Sequence, residues 1–194
     1  MEGSNFDMIK RFSDILISLV AIIILAIPFL IIAFIIKLTS PGPILYWSRR
    51  LGQNGNYFIM PKFRTMKLNT PEIATYKLSS PQKYLTSIGP FLRHTSLDEI
   101  PQFLSVLYGK MSIVGPRPAL HNESEIILKR QKLGINKLKP GITGWAQVNG
   151  RDNVTLKNKV RLDYEYLLKQ NLLFDIQIIL RTIIIVAKSK DITH

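Results

Sequence analysis

Hydrophobic and polar positions divide the chain into stretches of very different character, and the most extreme lies near the start. From Ile15 to Ile36, 22 residues carry no charge, and Ser18 is the one polar side chain among them. At about 1.5 Å per residue a helix of that length reaches roughly 33 Å, enough to cross the hydrocarbon core of a bilayer. The run is too long and bulky for a removable signal peptide and has no small-residue cleavage site. Pro28 stands in its middle, where it removes a helical hydrogen bond and disfavours helical geometry at Ile27.

Beyond this run the periods shorten. Ser40-Pro41-Gly42-Pro43 predicts a turn, Ile44 to Trp47 a short strand, and Gly52-Gln53-Asn54-Gly55 a hairpin turn ahead of a strand at Tyr57-Phe58-Ile59-Met60. Residues 68 to 87 are polar and turn-rich. Ile100, Phe103, Leu104 and Leu107 share a helical face, and Pro101 suits a first turn, so a helix is predicted to start at about Asp98. A charged surface helix is predicted from His121 to Leu133, ending near Gly134. Leu156 to Lys169 carries Val160, Tyr164, Leu167 and Leu168 at helical spacing, with Asp163 displaced from that face. Leu172 to Ala187 is interrupted by Asp175, Gln177, Arg181 and Thr182, which predicts a core helix or one lying at a membrane interface. The pattern reads as an α+β chain, mostly helical. Residues 1–39 form a membrane helix with basic flanks, and 40–194 a small compact domain with short strands and interfacial helices.

Charge decides how the apolar run is expected to sit. Lys10 and Arg11 precede it, and Lys37, Arg49 and Arg50 follow it, so both flanks carry the positive charge typical of the cytoplasmic side. A kinked spanning helix, which would leave one basic flank on the far face, and a re-entrant hairpin bent at Pro28 fit these residues equally; the hairpin, with both ends on the cytoplasmic face, is the expectation carried forward. Overall, 26 Lys and Arg against 13 Asp and Glu give +13, which calls for an anionic partner: nucleic acid, lipid headgroups or a phosphorylated substrate. With no cysteine, a disulfide framework and a thiolate metal site are excluded, and His94, His121 and His194 are too scattered for a metal motif.

Against that basic background the adjacent acids Asp98 and Glu99 stand out. At a helix start, free amides and the helix dipole stabilise a carboxylate and equally a phosphate beside it. Taken alone, such an acid is ordinarily a cap. Nearby, Gly115-Pro116-Arg117-Pro118 predicts a rigid loop presenting one arginine, suited to bidentate phosphate binding. Lys62 and Arg64 share a face if their segment stays extended, and Arg93 lies five residues before Asp98. Pro140 to Asp152 holds three glycines among polar side chains able to read a base or sugar. Neither a G-x-G-x-x-G fingerprint nor a P-loop is present, which leaves a Rossmann dinucleotide site and a Walker-type NTPase unsupported.

Together, the broken apolar segment, Lys62-Phe63-Arg64-Thr65-Met66, Ser96-Leu97-Asp98-Glu99-Ile100-Pro101-Gln102, Gly115-Pro116-Arg117-Pro118 and Pro140-Gly141-Ile142-Thr143-Gly144-Trp145-Ala146-Gln147-Val148-Asn149-Gly150-Arg151 resemble the bacterial sugar transferases, the monotopic polyprenyl-phosphate phosphoglycosyl transferases. The resemblance runs through nearly the whole chain in the expected order. It implies transfer of a sugar-1-phosphate from a UDP-sugar to undecaprenyl phosphate at the cytoplasmic membrane face, releasing UMP. It further implies that Asp98 attacks to form a phosphosugar ester and that Glu99, with Asp98, holds Mg²⁺. Arg93, Arg117, Lys62 and Arg64 would bind phosphate, Gln147, Asn149 and Arg151 would contact nucleotide or acceptor, and Asp163 matches an acidic position of open role. A homodimer is allowed. The rivals are a non-enzymatic basic membrane-surface module, which leaves the acid pair unexplained, and nucleic-acid binding, which accounts for charge alone; no nucleic-acid partner is expected.

Overall fold

A computed structural model describes residues 2–73, 78–150 and 154–188, and its elements are mostly helical, as the pattern predicts. The first helix, α1 (Glu2–Thr39), contains the whole apolar run with Pro28 inside it. The expected division into two arms at Pro28 does not appear as a break in secondary structure. One proline removes a single hydrogen bond, and the turns on either side hold the helix through it.

Both ends of α1 are tied to the rest of the chain, and one side of its middle is exposed. Near the start, Lys10 pairs with Asp175, and Arg11 donates to the carbonyls of Val106 at 2.6 Å and Leu107 at 2.7 Å. Asp14 Oδ1 accepts from Ile113 N at 2.9 Å and Ser112 Oγ at 3.1 Å. Near the end, Ile32 and Ile36 are buried with Phe63, Leu92 and Ile100. Between them Ile23, Ile24, Ile27 and Leu30 stay 67–71% exposed.

After α1 comes a hairpin of β1 (Leu45–Leu51) and β2 (Tyr57–Phe63), antiparallel with Leu45 opposite Phe63 and Leu51 opposite Tyr57. Asn54 makes its tight turn at φ 57°. The helices α2 (Gly89–His94) and α3 (Gln102–Leu107) follow. The single helix predicted from Asp98 is instead split. Residues Leu97–Glu99 form a 3₁₀ turn, and α3 starts after Pro101, because Ser96 turns the chain through the left-handed region at φ 59° just before the acids.

A second, parallel pair joins β3 (Ser112–Val114) to β4 (Gly141–Thr143), with α4 (Ser124–Lys132) between them. Then come α5 (Trp145–Val148), α6 (Leu156–Lys169) and α7 (Leu172–Lys188). The central core gathers Phe58, Met60, Val106, Met111, Ile113, Val114, Tyr166 and Ile178, so hairpin, α3, β3, α6 and α7 meet on it. The helix α7 is a core helix on one side only. It buries Asp175 and Ile178 inward, while Leu173, Ile176, Leu180, Ile183 and Ile184 form an apolar outer face.

Candidate active site

The site forms where the hairpin, the 3₁₀ turn and the loop after β3 converge. Alternation along β2 turns Lys62 towards the acid pair, and antiparallel pairing places Arg50 of β1 on that same face. Lys62 Nζ donates to Glu99 Oε1 at 2.7 Å and lies 3.8 Å from Asp98 Oδ2. Arg117 Nη2 reaches the same Glu99 oxygen at 2.7 Å. One carboxylate oxygen therefore holds two cations, while Asp98 has one at longer range.

This asymmetry separates two adjacent carboxyls chemically. Burial pushes the Asp98 carboxyl above its ordinary range, with Lys62 pulling it back and Glu99 adding to the rise. Burial works the same way on Glu99, but Arg117 and Lys62 outweigh it and hold that carboxyl far below its ordinary range. Such a split between neighbouring titratable groups is the usual mark of divided chemical roles. Asp98 is the more basic oxygen pair and Glu99 the fixed negative charge. Arg93, in the last turn of α2, adds a further favourable field on Asp98. The strained φ at Ser96 fits the tendency of such backbone to gather at functional sites.

Arg50 belongs here, although in sequence it looked like one of several flanking cations. Its guanidinium donates to Pro118 O at 3.1 Å and Ser48 Oγ at 2.9 Å, and burial together with Arg117 lowers its pKa to about 10. Among the described residues no carboxylate lies within ion-pair distance of it. Four cations, Lys62, Arg50, Arg93 and Arg117, thus stand around Asp98 and Glu99, with Glu123 also acting on Arg50, which leaves a net positive site suited to an oxyanion such as phosphate.

The loop carrying Arg117 has little room to move. An added Cβ at Gly115 would meet Lys139 O at 2.4 Å, and one at Gly144 would meet Gly115 O at 2.1 Å. Gly115 N donates to Thr143 O at 2.9 Å and Gly141 N to Pro116 O at 3.0 Å. Three glycines let two backbone segments touch, and that contact supports the loop.

The other residues expected at the site have different surroundings. Arg64 follows the last residue of β2, so the alternation that would align it with Lys62 ends before it. Its guanidinium is spent on Ser40 O at 2.7 Å and on Pro41 O, where it closes the end of α1. Asp163 is buried against Arg130. Gln147 is buried with its amide unpartnered, and Asn149 donates to Trp145 O at 2.7 Å. Arg151 lies outside the described residues. Pro28 lies inside α1, next to Phe29, whose ring packs on Phe63.

Among the described residues no three His, Asp or Glu side chains gather as a metal cluster. Asp98 and Glu99 nonetheless fit Mg²⁺, which is typically held by one or two carboxylates, with substrate phosphates and water completing its shell. Glu99 Oε1 already serves two cations, so Glu99 Oε2 and Asp98 are the donors open to it.

An apolar helix long enough to cross a membrane, beside a buried, cation-ringed carboxylate pair, is the arrangement expected of a membrane-associated protein that handles phosphate. Comparison with known proteins agrees: the chain belongs to the bacterial sugar transferase family, whose sequence model matches residues 5–189. It is 38% identical over 190 residues to the UDP-glucose:undecaprenyl-phosphate glucose-1-phosphate transferase of Escherichia coli K12, covering 94% of this chain and 41% of that protein. It is 36% identical over 196 residues to the exopolysaccharide production protein ExoY of Sinorhizobium fredii, covering 93% of this chain and 86% of that one. The Xanthomonas campestris transferase of the same name as the first is 38% identical over 193 residues, with 95% and 40% covered. The chain thus spans about two fifths of the length of the two glucose-1-phosphate transferases.

Proposed function

We propose that this chain transfers a sugar-1-phosphate from a UDP-sugar to undecaprenyl phosphate, releasing UMP, in two displacements through Asp98. The observation that carries the reading is the division within the acid pair: Asp98 is buried and weakly paired, while Glu99 is pinned by Lys62 and Arg117. In the first displacement an Asp98 carboxylate oxygen bonds to the sugar-proximal phosphorus, and the bond from that phosphorus to the UMP oxygen breaks. UMP leaves with the electron pair. In the second, an oxygen of undecaprenyl phosphate attacks the same phosphorus, which frees the Asp98 carboxylate and gives undecaprenyl-diphosphate-sugar. Splitting the transfer lets a soluble donor and a lipid acceptor use one site in turn.

The protein's own part is mainly charge and position, as in other phosphoryl transfers. Lys62, Arg117, Arg50 and Arg93 offset the phosphate charge that would repel a carboxylate, and a raised pKa makes Asp98 a better nucleophile once ionised. Mg²⁺, held by Asp98 and Glu99, would supply further charge neutralisation on the substrate oxygens.

Re-entrant seating of α1 on the cytoplasmic face completes the proposal. A helix crossing about 30 Å of hydrocarbon would carry its two ends to opposite faces. Here Asp14 and Ile36 are both held by one folded body, while the segment between them keeps an exposed apolar side at Ile23, Ile24, Ile27 and Leu30. That supports dipping into the membrane and returning, with a shallow bend at Pro28. The outer face of α7 suits the interface beside it. The deciding experiment supplies purified protein and Mg²⁺ with a panel of UDP-sugars and undecaprenyl phosphate. UMP release that tracks formation of a lipid-linked sugar diphosphate is expected; its absence across the panel would refute the reaction.

A further inference from the structure

A buried ion pair outside the acid site has no role in the chemistry above. Arg130, in the last turn of α4, donates from Nε at 3.0 Å and from Nη2 at 2.6 Å to Asp163 Oδ2 on α6. Their side chains are 7% and 2% exposed. A buried pair of this kind is no more stable, as a rule, than apolar side chains of equal volume, so its presence invites a second reason. That reason lies in the remaining nitrogen: Arg130 Nη1 donates at 2.7 Å to the backbone carbonyl of Arg117.

The direction in which Arg117 points is set by the two peptide planes on either side of its Cα. Gly141 N holds the preceding plane through Pro116 O at 3.0 Å, and Arg130 holds the following one through Arg117 O. Prolines at 116 and 118 narrow the backbone further, since each fixes its own φ and restricts the residue before it. With both planes fixed, the Arg117 side chain leaves the loop towards Glu99, where its Nη2 lies 2.7 Å from Oε1. Asp163 accepts two of the Arg130 donors and so aims the third.

We propose that Arg130 and Asp163 are positioning residues for the candidate site: they hold the Arg117 carbonyl so that its guanidinium meets Glu99 and the phosphate of the donor. The inference rests on the transferase reading for its substrate, and on the geometry alone for the loop.

The test uses the full chain in lipid nanodiscs. Arg130→Lys keeps the charge beside Asp163 but loses the fork that reaches Arg117 O; Arg130→Gln with Asp163→Asn removes both charges and keeps a hydrogen-bonding amide on each side. Each is expected to lower kcat/KM for UMP release 10-fold to 100-fold, at the order of one lost charge-assisted contact, with the thermal midpoint held. In an Arg117→Ala background the same changes should cost less than about threefold, because residues acting through one another are not additive. A full, additive loss in that background, or parental activity in Arg130→Lys, would overturn the proposal. Hydrogen exchange of the 112–120 and 138–144 peptides gives a readout independent of turnover. Arg130→Lys should speed it there and leave α7 unchanged. Unchanged exchange in those peptides refutes the positioning role even in a protein that shows no transfer, whereas faster exchange with no turnover in the parent indicts only the reaction.

Discussion

Replacing Lys62 with methionine removes the nearest cation from Asp98 while keeping the length and apolar stem of the side chain. At the observed 3.8 Å, two unit charges interact by about 1 kcal/mol in water and about 4 kcal/mol at the effective dielectric of a protein surface. Since about 1.4 kcal/mol corresponds to one pKa unit, the Asp98 carboxyl should become harder to ionise by roughly one to three units. Glu99 retains Arg117 at 2.7 Å, so the fold cost should stay below the about 3–5 kcal/mol of a fully orphaned buried charge. The assay is the pH dependence of kcat/KM for UMP release, which reports the free enzyme. A nucleophilic carboxylate must be unprotonated, so its activity falls on the acid side. In Lys62→Met that acid limb should move up by at least about one pH unit. A lower rate with an unmoved limb would refute the argument that Lys62 sets the ionisation of the nucleophile.

Asp98→Asn should abolish transfer and raise stability at neutral pH. Burial lifts the folded carboxyl above its unfolded value, so its contribution is fully present below the unfolded pKa and lost as pH rises through the folded one. The gain in thermal midpoint should therefore be seen at pH 7–8, at about 2–4 °C per kcal/mol, and vanish in acid; a loss at neutral pH would contradict it. Gly144→Ala places a Cβ 2.1 Å from Gly115 O and should cost about 1–3 kcal/mol by overpacking. Activity should fall with it through the Arg117 loop, and a fully active variant would show that the contact is not needed. For topology, single cysteines at Asn5 and Lys132 in this cysteine-free chain should both resist a membrane-impermeant thiol reagent in intact cells and both react after lysis. Labelling of Asn5→Cys alone would establish a crossing helix.

The local parts of this site were legible in the sequence, and the long-range ones were not. Asp98, Glu99 and Arg117 stand in short rigid segments whose composition announces them, and the hairpin turn at Gly52 to Gly55 gives Lys62 its strand. The left-handed Ser96 could not be read, because a serine at that φ leaves no compositional trace, so the predicted helix started too early. Arg64 was misplaced because alternation holds only within the strand and β2 stops at Phe63. Arg50 and Arg130 were hidden for a different reason. Each acts on a backbone carbonyl of the Arg117 loop, 68 and 13 residues away along the chain, and a carbonyl acceptor carries no sequence signal. Tethering of both ends of α1 was equally invisible, since Lys10, Arg11 and Asp14 look like an ordinary charged flank.

In the proposed mechanism Asp98 forms a bond to the transferring phosphorus. The most direct test incubates the protein with Mg²⁺ and the UDP-sugar that releases UMP fastest, with no undecaprenyl phosphate present, and examines the acid-quenched protein by mass spectrometry. At most one UMP per active site is expected, with a sugar-phosphate mass on the peptide containing Asp98 that is lost on adding undecaprenyl phosphate and absent in Asp98→Asn. An active enzyme that gives neither UMP nor a mass shift until the lipid is added would contradict this mechanism, and direct transfer from donor to acceptor would stand in its place.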